Sequence, residues 1–364
     1  MESLLGVAQP NLYNRQFNDK VIEIDAAFKA FNPPKLEPFA SHPSHFRMRA
    51  EFKVWHEANV AHYAMYKPGE YKKPVRIQEY SIGSERMCHL MPPLMAAINQ
   101  NETLKRKLFQ IEFLTTTTND ALVTLIYHRE LDTKWEDAAR SLQALCNCKI
   151  IGRSRKQKVT LEVDFVIETM HVNGKTFKYQ QVETGFTQPN AGVCQSMLNW
   201  AVAVSKNIGG DLLELYCGNG NFTLPLAMNF NKVLATEVSK TSVHSARYNI
   251  SLNHIENVDI VRMSSEEFTQ AMEGVREFRR LKEIALDDYT FSTVFVDPPR
   301  AGLDDATTKM ISRFDNILYI SCNPETLKHN LDTLSQSHKV ERFAFFDQFP
   351  YTHHCECGVL LARK

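Results

Sequence analysis

A chain of 364 residues, 43% apolar and 23% charged, is long enough for two domains or one large one and has the balance of a soluble globular protein. No apolar run approaches membrane-spanning length, and the start MESLLGVAQPNLYN lacks the basic and long apolar parts of a signal peptide, which argues against a membrane or secreted class. Net charge is zero but unevenly spread: residues 1–180 carry 25 Lys and Arg against 20 Asp and Glu (+5), and residues 181–364 carry 17 against 22 (−5).

That split suits a chain that holds a polyanion with its first half and does chemistry with its second. The eight cysteines, at 88, 146, 148, 194, 217, 322, 355 and 357, form no C-x-x-C pair. Two C-x-C pairs are too little by spacing alone for a zinc or iron–sulfur site, and without a secretion signal reduced thiols and a cytoplasmic location are expected.

Residues 1–40 read as an arm or helix, with Val21, Ile24, Phe28 and Phe31 at helical spacing and Asn32-Pro33-Pro34 as the stop. Over 44–55, Phe46, Met48, Ala50, Phe52 and Val54 alternate with Arg47, Arg49, Glu51 and Lys53. This predicts a half-buried strand with a mostly basic outer face. A helix is expected over 88–98, then two strands over 109–115 and 122–128 joined as a hairpin, then a helix over 135–146. Phe109 and His128, beside Lys105-Arg106-Lys107, suit stacking on splayed RNA bases, although a core Phe and a structural His would look the same. The run Arg153-Ser154-Arg155-Lys156-Gln157-Lys158 reads as a solvated turn.

Near Phe186 the pattern changes to alternating strands and helices, the mark of a parallel sheet with crossover helices. The expected order is a helix over 193–204, strands over 212–215, 233–237, 259–262, 293–296 and 317–320, and a closing antiparallel hairpin at the sheet edge from 342–346 and 357–361. Residues 273–289 read as a surface helix or insertion. After the first strand, Gly218 and Gly220 let backbone approach a ligand. Glu237 ends the second strand, 17 residues after Gly220. An acid there can accept from both ribose hydroxyls of an adenosine-containing cofactor. Pro298 and Pro299 force an extended exit from the fourth strand and hold Asp297 at the mouth of the site.

The fifth strand delivers Cys322 to a strand-to-helix corner, capped by Asn323 or Ser321 with Pro324 in the first turn. A helix N-terminus favours a thiolate, so a low thiol pKa is expected there. Glu356, just before the last strand, is expected near the same face.

Five stretches, in this order, carry a specific resemblance: Phe186-Thr187-Gln188-Pro189-Asn190; Glu214-Leu215-Tyr216-Cys217-Gly218-Asn219-Gly220-Asn221-Phe222; Asp297-Pro298-Pro299-Arg300; Ser321-Cys322-Asn323-Pro324; and His353-His354-Cys355-Glu356-Cys357-Gly358. From about residue 42 onward the chain resembles the bacterial tRNA (uracil-5-)-methyltransferase family, of the class I RNA uracil-5-methyltransferases. Related rRNA enzymes usually add a β-barrel and a four-cysteine iron–sulfur cluster, for which this chain lacks the cysteines.

The resemblance implies an α/β fold: a C-terminal Rossmann-like methyltransferase domain over 181–364, dependent on S-adenosylmethionine, with an N-terminal α+β RNA-binding region over 1–180. It implies Gln188, Tyr216, Asn221, Glu237 and Asp297 around the cofactor, Cys322 as nucleophile and Glu356 as proton acceptor. The implied substrate is the T-loop uridine at tRNA position fifty-four, in the T-arm, with tmRNA a second candidate. No metal and no iron–sulfur cluster are expected, nor a membrane, and a monomer is favoured because no exposed heptad is visible. Arg47, Arg49, Lys53, Phe109 and His128 are candidate RNA contacts by basic and aromatic placement. Arg300 could meet phosphate or the reacting base, or form a salt bridge.

Three other readings fit less. An adenine N6-methyltransferase usually follows its Pro-Pro turn with an aromatic and needs no cysteine. A nucleotide-dependent oxidoreductase would use the glycine loop and leave Asp297, Cys322 and Glu356 without a task. An RNA-folding protein is compatible with catalysis, since flipping a T-loop base opens the tRNA elbow.

Overall fold

The computed structural model describes residues 5–67, 69–282 and 284–364. The first four residues of the predicted arm, and residue 283 of the predicted 273–289 segment, lie outside the described residues.

Helix α1 (Pro10–Phe28) runs on into a 3-10 turn that Asn32 ends in a left-handed conformation, just before the two prolines. Strand β1 (Glu37–Phe39) follows. The chain then builds a first sheet from β2 (Arg49–Glu57), β3 (Val60–Lys67), β4 (Glu70–Arg76), β5 (Leu108–Thr115), β6 (Ala121–Tyr127), β7 (Lys149–Ser154) and β8 (Gln157–Thr160), in the order β4-β3-β2-β5-β6-β7-β8. Helices Glu85–Gln100 and Thr133–Cys146 cover it. Their apolar sides meet Phe52, Tyr63 and Phe113, with Trp135 fully buried. The predicted alternation holds in β2, where Ala50, Phe52 and Val54 point into this core. The strand starts only at Arg49, because His45 takes a positive φ of 55° and turns the chain first. The basic run near 155 is the turn of the β7–β8 hairpin.

A two-stranded ribbon, β9 (Phe165–Val172) and β10 (Lys175–Val182), leads to the second sheet. That sheet comprises β11 (Asp211–Leu215), β12 (Val233–Thr236), β13 (Val258–Val261), β14 (Phe291–Val296), β15 (Asn316–Ser321), β16 (His338–Phe346) and β17 (Glu356–Arg363), together with β1. The order is β1-β16-β17-β15-β14-β11-β12-β13, with β11 to β15 parallel to their neighbours in that set and β17 antiparallel to both of its own. Burial on both faces explains why these strands read as near-continuous apolar runs. In β14, Phe295 enters one core with Trp200, Phe222 and Phe346, while Val294 and Val296 enter the other with Phe28, Tyr319 and Leu327.

The structure revises one expectation and sharpens two. The closing hairpin is not at the sheet edge: β17 lies between β15 and β16, and β1 pairs in parallel with the outer side of β16. The segment over 273–289 is the insertion of the two alternatives: its described residues form a loop with two 3-10 turns, and a helix precedes it at Ser265–Met272. Its start is a capping box between Ser264 and Glu267, a pattern present in the sequence. Finally, the arm, grouped by sequence with region 1–180, packs on the second sheet: Phe28 lies 4.9 Å from Phe343, and Phe17 lies 5.9 Å from Phe345.

Candidate active site

The second sheet sets four strand ends side by side. Leu215 is level with Thr236 and with Val296, and Val296 is level with Tyr319. One step beyond those residues stand Tyr216, Glu237 and Asp297, and slightly further along β15 stands Cys322. Ligands in open α/β sheets sit at this edge. The antiparallel partner β17 runs back through the same place. Ser321 faces Cys357, so Cys322 comes level with Glu356.

Local chemistry fixes each residue. Asn323 caps helix Pro324–Leu334 by accepting from the Glu325 N–H at 3.2 Å, and Pro324 occupies the first turn. The other end of the Asn323 side chain donates to the Arg300 carbonyl at 3.0 Å. The cysteine corner and the Asp297-Pro298-Pro299-Arg300 turn are therefore one unit. Glu356 is 2% exposed, and its Oε1 has no hydrogen-bond partner.

The electrostatics of this corner are set by burial. Burial raises the Asp297 carboxyl. Burial, then the charge of Asp297, holds Glu356 well above the ordinary carboxylate range. Buried Glu214 is pushed up to about 8 by desolvation and by Asp297, and its Oε2 is unpartnered. The Cys322 thiol is also pushed up, to about 11, by burial first and then by Glu356 and Asp297, with Arg300 acting the other way. The expected low thiol pKa is thus not met. A helix N-terminus contributes about 0.3–1 kcal/mol when exposed, and desolvation beside two acids outweighs it.

These shifts carry a stability prediction. In the unfolded chain Glu356 ionises near the usual value of about 4.3. Below that pH both states are neutral. Above it only the unfolded chain releases its proton, so folding loses about 1.4 kcal/mol per pH unit until the raised folded pKa is passed. Glu356→Gln removes the titration. It is expected to raise the Tm, with an increment that grows as pH rises above the ordinary carboxylate range. Thermal unfolding of both proteins across that rise in pH checks this, and a flat or shrinking increment contradicts the buried-carboxyl assignment.

A cradle opens beside the acids. Gly218 takes φ +57°, and a Cβ there would meet nothing within 4 Å. Its N–H donates to Glu237 Oε2 at 3.1 Å, while the Ser239 N–H donates to Oε1 at 2.7 Å. Glu237 is thereby fixed under the glycine loop with acceptor capacity to spare. Tyr216 takes φ +63°, a strained conformation for a non-glycine, and its hydroxyl donates to Ser265 at 2.6 Å. Asn221 holds its side chain against the Cys194 sulfur at 3.5 Å. Gln188 accepts from Gln348 Nε2 at 2.6 Å. Two buried carboxyls, Glu214 and Glu356, each with an unpartnered oxygen, and the half-buried Asp297, all with raised pKa values, form a donor set that fits a cationic ligand. Glu237 beside an open glycine loop fits a ribose. The residues therefore fit S-adenosylmethionine; Glu237 would hold the ribose and Asp297 would face the charged end.

Two participants escaped the sequence reading. Asp347 and Gln348 are both buried at the end of β16, and Gln348 tethers Gln188. The available signal was a polar pair directly after the apolar run Phe343-Ala344-Phe345-Phe346.

The candidate RNA contacts lie on the first sheet. Phe109, 37% exposed, stacks on His128 with ring centroids 4.1 Å apart and a 22° interplanar angle. Lys53 Nζ sits 4.4 Å from the Phe109 centroid and donates to Gln110. Arg49 is committed elsewhere: its guanidinium donates to the carbonyls of Glu183 and Gly185, tying β2 to the segment that leads into the second sheet. Arg47 bridges to Gly83 and Asn190 through its backbone.

A mostly parallel sheet of this order, with its cradle and acids at the carboxyl ends of the strands, is Rossmann-like, the fold of S-adenosylmethionine-dependent methyltransferases. A crystal structure of Pyrococcus abyssi tRNA (uracil-54, C5)-methyltransferase in complex with S-adenosyl-L-homocysteine shares the fold, with a TM-score of 0.72 at 19% identity, over 96% of this chain and 83% of that one. The chain belongs to the tRNA (uracil-5-)-methyltransferase family, whose model matches residues 12–364. The match takes in α1, which the sequence alone left outside the resemblance. The tRNA/tmRNA (uracil-C(5))-methyltransferase of Cellvibrio japonicus is 61% identical over 352 residues, 97% of this chain and 96% of that protein. The protein of the same name from Saccharophagus degradans is 59% identical over 365 residues, covering 100% of both. Among the described residues, no helix is long and apolar enough to cross a membrane.

Proposed function

We propose that this protein methylates C5 of uracil in tRNA, at the T-loop uridine, and in tmRNA, using S-adenosylmethionine. The observation that carries the reading is the alignment of Cys322 with Glu356 across β15 and β17, with Asp297 beside both. The names of the relatives point to the same substrates.

Uracil C5 is a poor nucleophile. The Cys322 thiolate adds to C6, the S–C6 bond forms, and the C5=C6 electron pair shifts to C5 and O4, making C5 reactive. When bound, S-adenosylmethionine supplies an electrophilic methyl group on a positively charged sulfur. Glu356 then takes the C5 proton, the C–H electrons restore C5=C6, and the S–C6 bond breaks to return the thiolate. Burial raises the Asp297 carboxyl, and a cationic ligand beside it would favour its ionised form. A positive charge there favours ionised Glu356 and the thiolate of Cys322. Arg300, whose charge already lowers the Cys322 pKa, favours the same form. The base leaves its stack to reach Cys322.

Nuclease digestion of tRNA methylated with labelled donor tests the reading. It is expected to yield 5-methyluridine from the T-loop alone; label in any other nucleoside contradicts it.

Phe109, His128 and Lys53 are proposed as the RNA platform, since an exposed stacked pair under a cation suits splayed bases. Phe109→Ala is expected to weaken tRNA binding about tenfold. Lys53→Ala is expected to lower the salt slope of binding by about 0.7–0.9. Filter binding across salt concentrations reads both, and unchanged affinity and slope would remove this surface from the account.

A further inference from the structure

Lys20 lies on α1, 327 residues from its main partner, and is only 6% exposed. Its ammonium donates to Asp347 Oδ1 at 2.8 Å, to the Phe349 carbonyl at 3.0 Å and to the His354 carbonyl at 3.1 Å. All three donors are used. The two carbonyls lie at opposite ends of the loop that joins β16 to β17, so the ammonium draws those ends together. The next element after that loop begins with Glu356.

Other contacts act in the same place. Gln16 Nε2 donates to Asp347 Oδ2 at 2.9 Å, and Gln16 Oε1 accepts from the Tyr351 N–H at 3.4 Å. Tyr13 meets the Tyr351 ring edge-on at 6.1 Å. Tyr13, Gln16 and Lys20 follow at spacings that share one helix face. Asp347 is 0% exposed, and its N–H donates to the Phe39 carbonyl at 3.0 Å, so the anchor is itself fixed. The clamped loop carries Gln348, which tethers Gln188, and His354, whose Nδ1 lies 3.3 Å from the Arg300 guanidinium.

We propose that Lys20 is a positioning residue for the reaction: it holds the loop before Glu356 so that the carboxylate meets the C5 proton of the methylated adduct. Its ion pair with Asp347 sits in a low-dielectric site, where fixed geometry is strongest. Proton removal depends on this placement, whereas Cys322 is delivered by β15 and its helix cap, which Lys20 does not contact. The inference rests on the mechanism proposed above.

The test uses the full-length protein with ordinary tRNA and S-adenosylmethionine. Lys20→Met with Asp347→Asn removes both buried charges at similar volume, so no lone charge is stranded. Adduct formation and release are timed separately by rapid quench and denaturing gel. Release is expected to slow by about 10²-fold, with formation within a fewfold of the wild type, so that a covalent protein–RNA band accumulates. Lys20→Arg keeps the charge, and is expected to retain part of the release rate if the double variant does not fold. A purely structural Lys20 would lower formation and release together, and that result, or release at the wild-type rate, overturns the proposal. Wild-type protein with 5-fluorouridine tRNA runs alongside. If it traps no adduct, the covalent mechanism falls and this role with it; if it does, a negative result bears on Lys20 alone.

Discussion

A Cys322→Ala protein is expected to bind S-adenosylmethionine as the wild type does and to lose methyl transfer by roughly 10⁴-fold or more. The size follows from the chemistry. Without an S–C6 bond, C5 does not become an enolate carbon, and no neighbouring group supplies a substitute. Cys355 and Cys357 lie on the adjoining loop and strand, but both are buried, whereas Cys322 is only half-buried. Cofactor binding should be spared because the cradle is built from β11, β12 and the Asp297 turn. Calorimetric titration with the cofactor and single-turnover label transfer separate the two effects. Residual transfer within tenfold of the wild type would remove Cys322 from the chemistry.

The second large effect is at Glu356. Glu356→Gln keeps shape and neutral charge but accepts no proton. Addition and methylation proceed, while release stalls. Turnover is expected to fall by about 10²–10⁴-fold, with the protein–RNA adduct building up on unmodified tRNA. The same substitution stabilises the fold at pH above the ordinary carboxylate range, because it removes a carboxyl that burial keeps from ionising. Activity and stability therefore move in opposite directions at one residue. A Glu356→Gln protein that turns over normally, or that forms no adduct at all, contradicts the assignment of the base.

What the sequence made legible was local. The cap at Asn323, Pro324 in the first turn, the open glycine loop at Gly218 and the acid just after β12 are each decided within a few residues. Core alternation in β2 was readable for the same reason. What escaped depended on distant chain. The pairing of β1 with β16 joins Glu37 to Ala344 across the whole sequence, and it turns an apparent edge hairpin into the interior of a sheet. The Cys322 pKa escaped too. A helix start can be read from Asn323 and Pro324, but the desolvation and the two acids that outweigh it come from β14 and β17. Arg49 shows the same limit: its place in a basic strand face suggested phosphate, and tertiary packing gave it two carbonyls instead.

The most direct measurement joins these residues in one experiment. The protein is incubated with S-adenosylmethionine and tRNA carrying 5-fluorouridine, then resolved on a denaturing gel and digested for mass spectrometry. Fluorine at C5 does not leave as a proton does, so the adduct should persist, with the RNA fragment linked to Cys322 and one methyl group added. Absence of any linked band, while methyl label still enters ordinary tRNA, would contradict covalent catalysis. The Asp297-Pro298-Pro299-Arg300 turn would then have to serve a direct transfer to nitrogen or oxygen.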